Sequence, residues 1–483
     1  MMRLRFDFAD RALFVRLFGA DVYAVGGTVR DLVRGCPSPD VDILVARHGL
    51  EEIVRKLERH GRVDLVGKSF GIIKFTVRGK TYDVALPRTD RASASGAGVR
   101  GHKDIIVSAD PDLPVEKDLA RRDFRTNSMA LRLKDGTLID PFEGRKDTLA
   151  RRIRLTDPAA FPEDPLRVLR VARFASVLGF KADPAIYPIA RAVDLSGLSS
   201  ERVHDELVKI LLRSPRPSIG LEEMFRLGVL EAWYPELQAL ALIIQDSVFH
   251  PERDAFGHHT VWAHTKLAVD QAAALAGQAG LPDPRKLALL LATLFHDLGK
   301  VSTTRWEYKR GRMAVTSCGH DIQSEKAARK VLTRFRIQTW NGFNLGRIVP
   351  LLIRTHHRAG ELWQNRAGVT KKAFNRLAAD VEGEIELLVM LDAADRAGRG
   401  TRLVRGLDRT ARWLFKRFEE LEVNRETIKP LVMGRDLLAL GVRPGPDMGR
   451  LLKKLYKAQL DGLFETKARG VEKARRIVER KAR

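Results

Sequence analysis

The stretch YAVGGTVRDLVRGCPSPDVDILVA, from Tyr23 to Ala46, restricts what this chain can fold into more than any other. Tyr23-Ala24-Val25 reads as the end of a short strand, and Gly26-Gly27 lets the chain turn tightly into a helix-like segment beginning at Thr28. Glycines at such a turn bring backbone N–H groups close to an anion, and a helix N-terminus adds partial positive charge. Past the turn Pro37-Ser38-Pro39 come Asp40 and Asp42, which at i and i+2 of a strand project from one face and can grip divalent metal together. The pair alone favours a different reading, solvated residues in a Pro-rich turn. A third carboxylate, Asp83 in the strand-like TYDVAL, tips the balance, because a neighbouring strand can bring it to the same place. Hard oxygen ligands of this kind suit Mg²⁺ shared with a substrate phosphate, and hence phosphoryl transfer.

Two later segments supply donors and acceptors. In RRDFRTNSMA, Asp123 and Asn127 stand four apart and on a helix share a face beside the forked donors of Arg121 and Arg122. A sugar hydroxyl and a phosphate can be held there; a surface helix laced by Arg–Asp pairs has the same composition. In EDPLRVLRVARFASVLGF, Asp164 precedes Pro165, an ordinary helix start. Asp164 and Arg167, three residues apart, also place an acceptor next to a donor. Cytosine offers N4–H₂ beside N3, and adenine N6–H₂ beside N1, so both bases match that pair of side chains. Uracil and guanine present a carbonyl beside a ring N–H and would leave polar groups opposed, at a cost on the order of 10²-fold in selection.

Taken in order, GGTVRDLVRG, PDVD, RRDFRTNSMA and EDPLRVLRVARFASVLGF resemble the nucleotidyltransferase superfamily of DNA polymerase β, specifically the class II tRNA nucleotidyltransferases (CCA-adding enzymes) and bacterial poly(A) polymerases. The resemblance covers most of the first 210 residues. It implies a head that binds two Mg²⁺ through Asp40, Asp42 and Asp83. It also implies a nucleotide site drawn from Gly26, Gly27, Arg30, Arg121, Arg122, Asp123 and Asn127, with Asp164 and Arg167 reading the base and Glu163 in support. Ser128 stands where relatives usually carry Ala. The implied activity is addition of C, C and A from CTP and ATP to the 3′ end of tRNA, at its acceptor stem, without a template. A poly(A) polymerase, or an enzyme adding only CC or only A, has the same head motifs. The polar, Gly/Ser/Ala-rich segment RTDRASASGAGVRGHKD, residues 88–104, reads as a spacer, and by resemblance as a moving active-site loop.

Histidines concentrate in the second half: His264 in VWAHT, His296-Asp297 in LFHDLGK, His320 in GHD, His356-His357 in THH, with Asp395 in AADRAGRG. This order is similar to the HD phosphohydrolase superfamily. The resemblance implies His264, His296, Asp297 and Asp395 as metal ligands, with His320 and His356 as candidates for a second metal. His258 and His259 compete for the first place, and the VWAHT context favours His264. Imidazole with carboxylate suits Ni²⁺, Mn²⁺, Co²⁺, Zn²⁺ or Mg²⁺, so the metal's identity stays open. A subset of class II enzymes carries such a domain and acts on 2′,3′-cyclic phosphates and 2′-nucleotides. The reading from another class makes this domain the working enzyme and the head an RNA grip.

The expected fold class is α+β: a small mixed-sheet nucleotidyltransferase head (1–155) with strands in VDILVA, GIIKFTV, TYDVAL and DIIVSA, then an almost wholly helical remainder. That remainder comprises a helical neck with the base-reading motif (156–240), an HD metal domain (241–400) and a basic helical tail (401–483) for RNA. The formal charge of +24 points to a polyanionic partner, and residues 401–483 hold 22 Lys+Arg against 11 Asp+Glu. In the tail, Arg450, Lys453, Lys454 and Lys457 recur at helical spacing after a Pro-Gly-Pro turn, and Gly449 permits close approach of a phosphate. Two cysteines, Cys36 and Cys318, exclude a disulfide framework and fit a reducing cytoplasm. No apolar run is long enough to cross a bilayer, and no obligatory protein partner is expected.

Overall fold

The computed structural model describes residues 2–36, 40–66, 72–92, 105–309, 311–421 and 429–482. It divides into two compact units, Met1–Tyr234 and Pro235–Arg483.

The first unit is organised by a seven-stranded mixed sheet. Its strands are β1 (Val22–Val25), β2 (Asp42–Val45), β3 (Arg62–Val66), β4 (Ile72–Val77) and β5 (Lys80–Ala85), together with β8 (Ala130–Arg132) and β9 (Leu138–Ile139), in spatial order β3-β4-β5-β2-β1-β8-β9. Between β5 and β8 a separate antiparallel pair forms from β6 (Arg88–Ala92) and β7 (Ile105–Ala109). The segment read as a spacer therefore begins in a strand; residues 93–104 lie outside those described. Alternation along β2 sends Ile43 and Val45 to a core with Phe14, Phe75 and Val84. Leu44 goes to the opposite face with Tyr23, Val25, Val115 and Leu119. Asp42 shares Leu44's face by the same period of two. β2 runs parallel to β5 with Asp42 in register with Asp83. Helix Val115–Ala120 packs on that face, and so its C-terminal end delivers Arg121 and Arg122.

After the sheet come helices Leu166–Leu178, Ser200–Arg213 and Pro217–Arg226, which pack on one another, as the sequence predicts after Pro165. The almost wholly helical remainder is as expected, with two short strand pairs besides. A two-residue parallel pair joins β10 (Arg152–Ile153) to β11 (Lys181–Ala182). In the second unit, β12 (Arg305–Lys309) pairs antiparallel with β13 (Arg312–Thr316). Trp306 and Tyr308 alternate with Arg305, Glu307 and Lys309 there, a period of two hidden among charged residues.

The second unit is otherwise helical. Helix Asp283–Phe295 is buried at every position from Leu287 to Phe295, the pattern of a central helix apolar on all sides. Helices Val261–Gln278, Leu345–Thr355 and Ile385–Ala397 surround it. Helices Gly434–Leu438, Pro446–Leu460 and Lys467–Ala482 enclose a small core of Val432, Leu437, Met448, Leu455 and Phe464. Among the described residues no helix is long and apolar enough to cross a membrane.

Candidate active site and metal centre

A cavity of about 320 Å³ opens in the first unit. Gly26, Gly27, Asp42, Arg121, Arg122, Asp123, Asn127, Asp164 and Arg167 line it, all of them predicted, together with Arg88 and Arg170, which were not. Five arginines face three carboxylates, so the lining is electropositive and suited to a polyphosphate.

Gly26 has φ +65°, and a Cβ there would sit 2.7 Å from Nη1 of Arg122, so only glycine admits both the turn and the guanidinium. Thr28 ties the turn to the carboxylates: its hydroxyl accepts from the Asp42 N–H at 2.9 Å and donates to the Asp40 carbonyl at 3.3 Å. Strand β2 begins only at Asp42, so Asp40 precedes it rather than sharing it. Asp42 reaches solvent in the cavity, yet protein crowds its carboxyl. That desolvation raises its pKa, Arg122 pulls the other way, and the like charges of Asp83 and Asp40 raise it again. Of the three predicted carboxylates only Asp42 lines the cavity; Asp40 and Asp83 act on it as nearby like charges. Asp83 makes an ion pair with Lys74 at 3.4 Å.

Asp123 and Asn127 meet without the expected helix. Helix Val115–Ala120 stops before them, and a 3₁₀ turn at Arg125–Asn127 brings the Asn127 amide to the Asp123 Oδ1 at 2.9 Å. Asn127 Oδ1 accepts from Arg30 at 2.8 Å. Arg30 also forks onto Asp31 and does not line the cavity. The Ser128 hydroxyl donates to the Phe124 carbonyl at 3.1 Å and lies 2.7 Å from that of Thr156, so the extra oxygen is satisfied. Asp164 is both cap and lining: its Oδ1 accepts the Leu166 N–H at 3.2 Å and faces Arg202 at 3.4 Å. Arg167 is held by the carbonyls of Ala160 and Arg121, at 2.8 and 2.7 Å.

The residue that organises this site is Asp118, buried and absent from the sequence reading. Its Oδ1 takes Arg121 at 2.7 Å and the Arg88 backbone N–H at 3.3 Å, and its Oδ2 takes Arg122 at 3.0 Å. Burial would raise its pKa, but Arg122 and Arg121 outweigh that and hold it below the usual range. Its position three and four residues before the two arginines was the available signal. Arg170, which pairs with Asp123 at 2.8 Å, sits three residues past Arg167 on the same helix and was findable by the same spacing. Asp118→Asn should raise the KM for nucleotide roughly 10- to 100-fold, the worth of a charged hydrogen bond, with a smaller fall in kcat. Steady-state kinetics on a variant of unchanged melting temperature checks this.

The second unit gathers the histidines. His264 Nε2 lies 2.8 Å from Asp395, and His296 Nε2 lies 3.2 Å from Asp297 and 3.5 Å from Asp395. His320 Nε2 is 3.4 Å from Asp297 and 3.0 Å from His357 Nε2. Three of these rings share one arrangement. His296, His320 and His356 each donate Nδ1–H to the carbonyl three residues back, Thr293, Ser317 and Ile353, at 2.7, 2.7 and 2.6 Å. A carbonyl only accepts, so the tautomer is fixed and Nε2 is left for a ligand. His356 Nε2 is buried with no hydrogen-bond partner among the described residues. Burial, then the neighbouring rings of His357 and His296, hold His356 well below its ordinary pKa, which keeps that lone pair available. These residues fit a divalent metal.

Gly299 in HDLGK lets the two halves of the cluster close. A Cβ there would meet the His320 carbonyl at 2.2 Å and the Ser324 nitrogen at 2.6 Å. His258 and His259 are directed to Asp254 and to the Glu252 carbonyl, leaving His264 as the ring at the cluster. Glu252 and His357 were not among the predicted ligands. Glu252 accepts from His264 Nδ1 at 2.9 Å, and His250 Nδ1 lies 3.0 Å from the same oxygen.

In the C-terminal helices Lys454, Arg469, Lys473, Arg476 and Arg480 line a basic cavity of about 750 Å³. Arg450 pairs with Asp447, and a Cβ on Gly449 would meet open space.

Comparison with known proteins places these sites in context. The profile of the Poly A polymerase head domain matches residues 22–154, that of the probable RNA and SrmB-binding site of polymerase A matches 187–240, and that of the HD domain matches 261–398. A multifunctional CCA protein of Methylococcus capsulatus is 32% identical over 450 residues, covering 90% of this chain and 92% of that protein. One from Pseudomonas fluorescens is 36% identical over 322 residues, covering 65% and 70%. The fold is similar to the crystal structure of the Bacillus stearothermophilus CCA-adding enzyme in complex with CTP, with a TM-score of 0.59, 21% identity and 97% of each chain covered. It is also similar to the Thermotoga maritima CCA-adding enzyme complexed with tRNA, with a TM-score of 0.51, 19% identity, and 96% and 94% covered.

Proposed function

The chain belongs to the family of the multifunctional CCA proteins, and from that premise we propose that its first unit adds C, C and A to the 3′ end of tRNA from CTP and ATP. The observation that carries this reading is Asp42 beside Gly26 in the lining of an arginine-rich cavity, in register with Asp83 on the neighbouring strand. Asp40, Asp42 and Asp83 would hold two Mg²⁺, which when bound neutralise the triphosphate and favour ionisation of the attacking hydroxyl.

The chain's own residues do the rest. Arg121 and Arg122, pinned by Asp118, receive the triphosphate. Asp123 and Asn127 brace the ribose. Arg167 spends two of its five N–H donors on carbonyls and turns the others to the base. Asp164 keeps Oδ2 for an exocyclic amine. The basic C-terminal cavity supplies a sequence-independent grip on the RNA backbone.

We also infer that the cluster of His264, His296, Asp297 and Asp395 binds a divalent cation and hydrolyses phosphoesters such as 2′,3′-cyclic phosphates, with His320, His356 and His357 at a second position. Convergence of the Nε2 atoms of His264, His296 and His320 on the carboxylates of Asp297 and Asp395 supports it.

The decisive experiment supplies tRNA lacking its 3′ end with CTP and ATP and sizes the product. Three added nucleotides ending in C-C-A are expected. A long A tail makes the chain a poly(A) polymerase, and addition of CC or A alone makes it a partial enzyme.

A further inference from the structure

The hairpin β12–β13 is rooted in the histidine cluster. At its foot the hydroxyls of Thr304 and Ser317 share a hydrogen bond of 2.8 Å, and the Ser317 carbonyl is the group that orients His320. One face turns inward through buried Ala314. The other shows Trp306 and Tyr308, 65% and 73% exposed, with Met313, 53% exposed, opposite Tyr308 in register. An exposed ribbon of aromatics contributes nothing to a core and marks a binding face.

Charge surrounds it. Arg305, Glu307 and Lys309 alternate with the two aromatics and so point to the other face, where Lys309 pairs with Glu307 at 2.6 Å, and Arg312 reaches Asp246 at 2.8 Å. Asp246 caps the turn that exposes Val248 and Phe249, and that turn runs on to His250 and Glu252, hydrogen-bonded behind His264. The hairpin therefore joins the cluster twice, through His320 and through the turn leading to His264.

We propose that the Trp306–Tyr308 face is a stacking platform for the terminal bases of a single-stranded RNA whose 3′-end phosphate is handled at the His264–Asp395 cluster. The proposal rests on the phosphohydrolase reading of that cluster. Aromatic faces accept any base, which is how single-stranded RNA is held without sequence preference. A charge of +24 favours that occupant over a basic or neutral protein surface. Trp306 and Tyr308 lie two and four residues beyond Thr304, roughly 7 and 13 Å at strand spacing, within reach of the nucleotide bearing the phosphate and its neighbour.

The test uses the full chain and a short RNA that ends in a 2′,3′-cyclic phosphate and carries 4-thiouridine at its last two positions. Irradiation should crosslink it to the peptide spanning 305–316. Trp306→Ala and Tyr308→Ala should each raise the KM for that RNA roughly tenfold. Turnover of a base-free riboside 2′,3′-cyclic phosphate and nucleotide addition to tRNA should be unchanged, and Trp306→Phe should restore the KM. Crosslinks confined to other peptides, or equal losses on the base-bearing and base-free substrates, overturn the platform while the hydrolase reading stands. Hairpin crosslinks with hydrolysis of neither substrate overturn the hydrolase reading and keep the platform as an RNA contact. A hairpin that instead retains a protein partner and excludes the RNA overturns the platform.

Discussion

Asp42→Asn should lower nucleotide incorporation roughly a thousandfold, about 4 kcal/mol of lost transition-state stabilisation, with tRNA affinity unchanged within about twofold. The substitution is nearly isosteric, and the bond from Thr28 reaches the Asp42 backbone nitrogen, so the strand keeps its anchor. What is lost is charge. Desolvation and the neighbouring Asp83 and Asp40 already raise the Asp42 carboxyl against the pull of Arg122, a cost that a shared divalent cation would relieve. Removing one like charge from that cluster should therefore leave the melting temperature unchanged or slightly higher. Single-turnover incorporation of labelled ATP, with filter binding of tRNA, measures both quantities. Incorporation above about a tenth of the parent rate would return the three aspartates to a surface role.

How much of this site was legible depends on how locally it is encoded. Gly26-Gly27, Asp42 and Asp83 announce themselves because a glycine turn and strand periodicity are short-range properties. The register that pairs Asp42 with Asp83 only aligns what alternation had already pointed to one face. Asp118, Arg88 and Glu252 act across the fold. A buried carboxylate whose partners include an N–H 30 residues away has no sequence signature except the two arginines that follow it. The helix expected through Asp123 and Asn127 is replaced by a turn closing the same i, i+4 contact, so the pairing was foreseen on the wrong backbone. The β12–β13 hairpin escaped for another reason. Its alternation is of aromatics with charges rather than of core with surface, and among its described residues only Ala314 packs inward as a buried side chain.

Asp164→Ala should reduce discrimination of C and A against U and G by on the order of 10²-fold, with little change in the rate for the correct nucleotides at saturation. The capping role predicts something else. Asp164 Oδ1 holds the Leu166 N–H and faces Arg202, so a residue that only caps should on removal cost roughly 1 kcal/mol of stability and leave base choice intact. Asp164→Asn separates the two. Asparagine caps as well as aspartate, but its amide can rotate to offer a donor where cytosine and adenine present their amines. It should keep the melting temperature, admit UTP and lose preference. Arg167 cannot serve as the cleaner probe, because its guanidinium also fastens Ala160 to the carbonyl of Arg121, and its removal would loosen the phosphate-binding arginines along with the base edge. Misincorporation measured for all four nucleotides on tRNA ending in C-C, with parallel thermal melts of both Asp164 variants, decides the point. Unchanged preference in a destabilised Asp164→Ala would make the residue a cap alone.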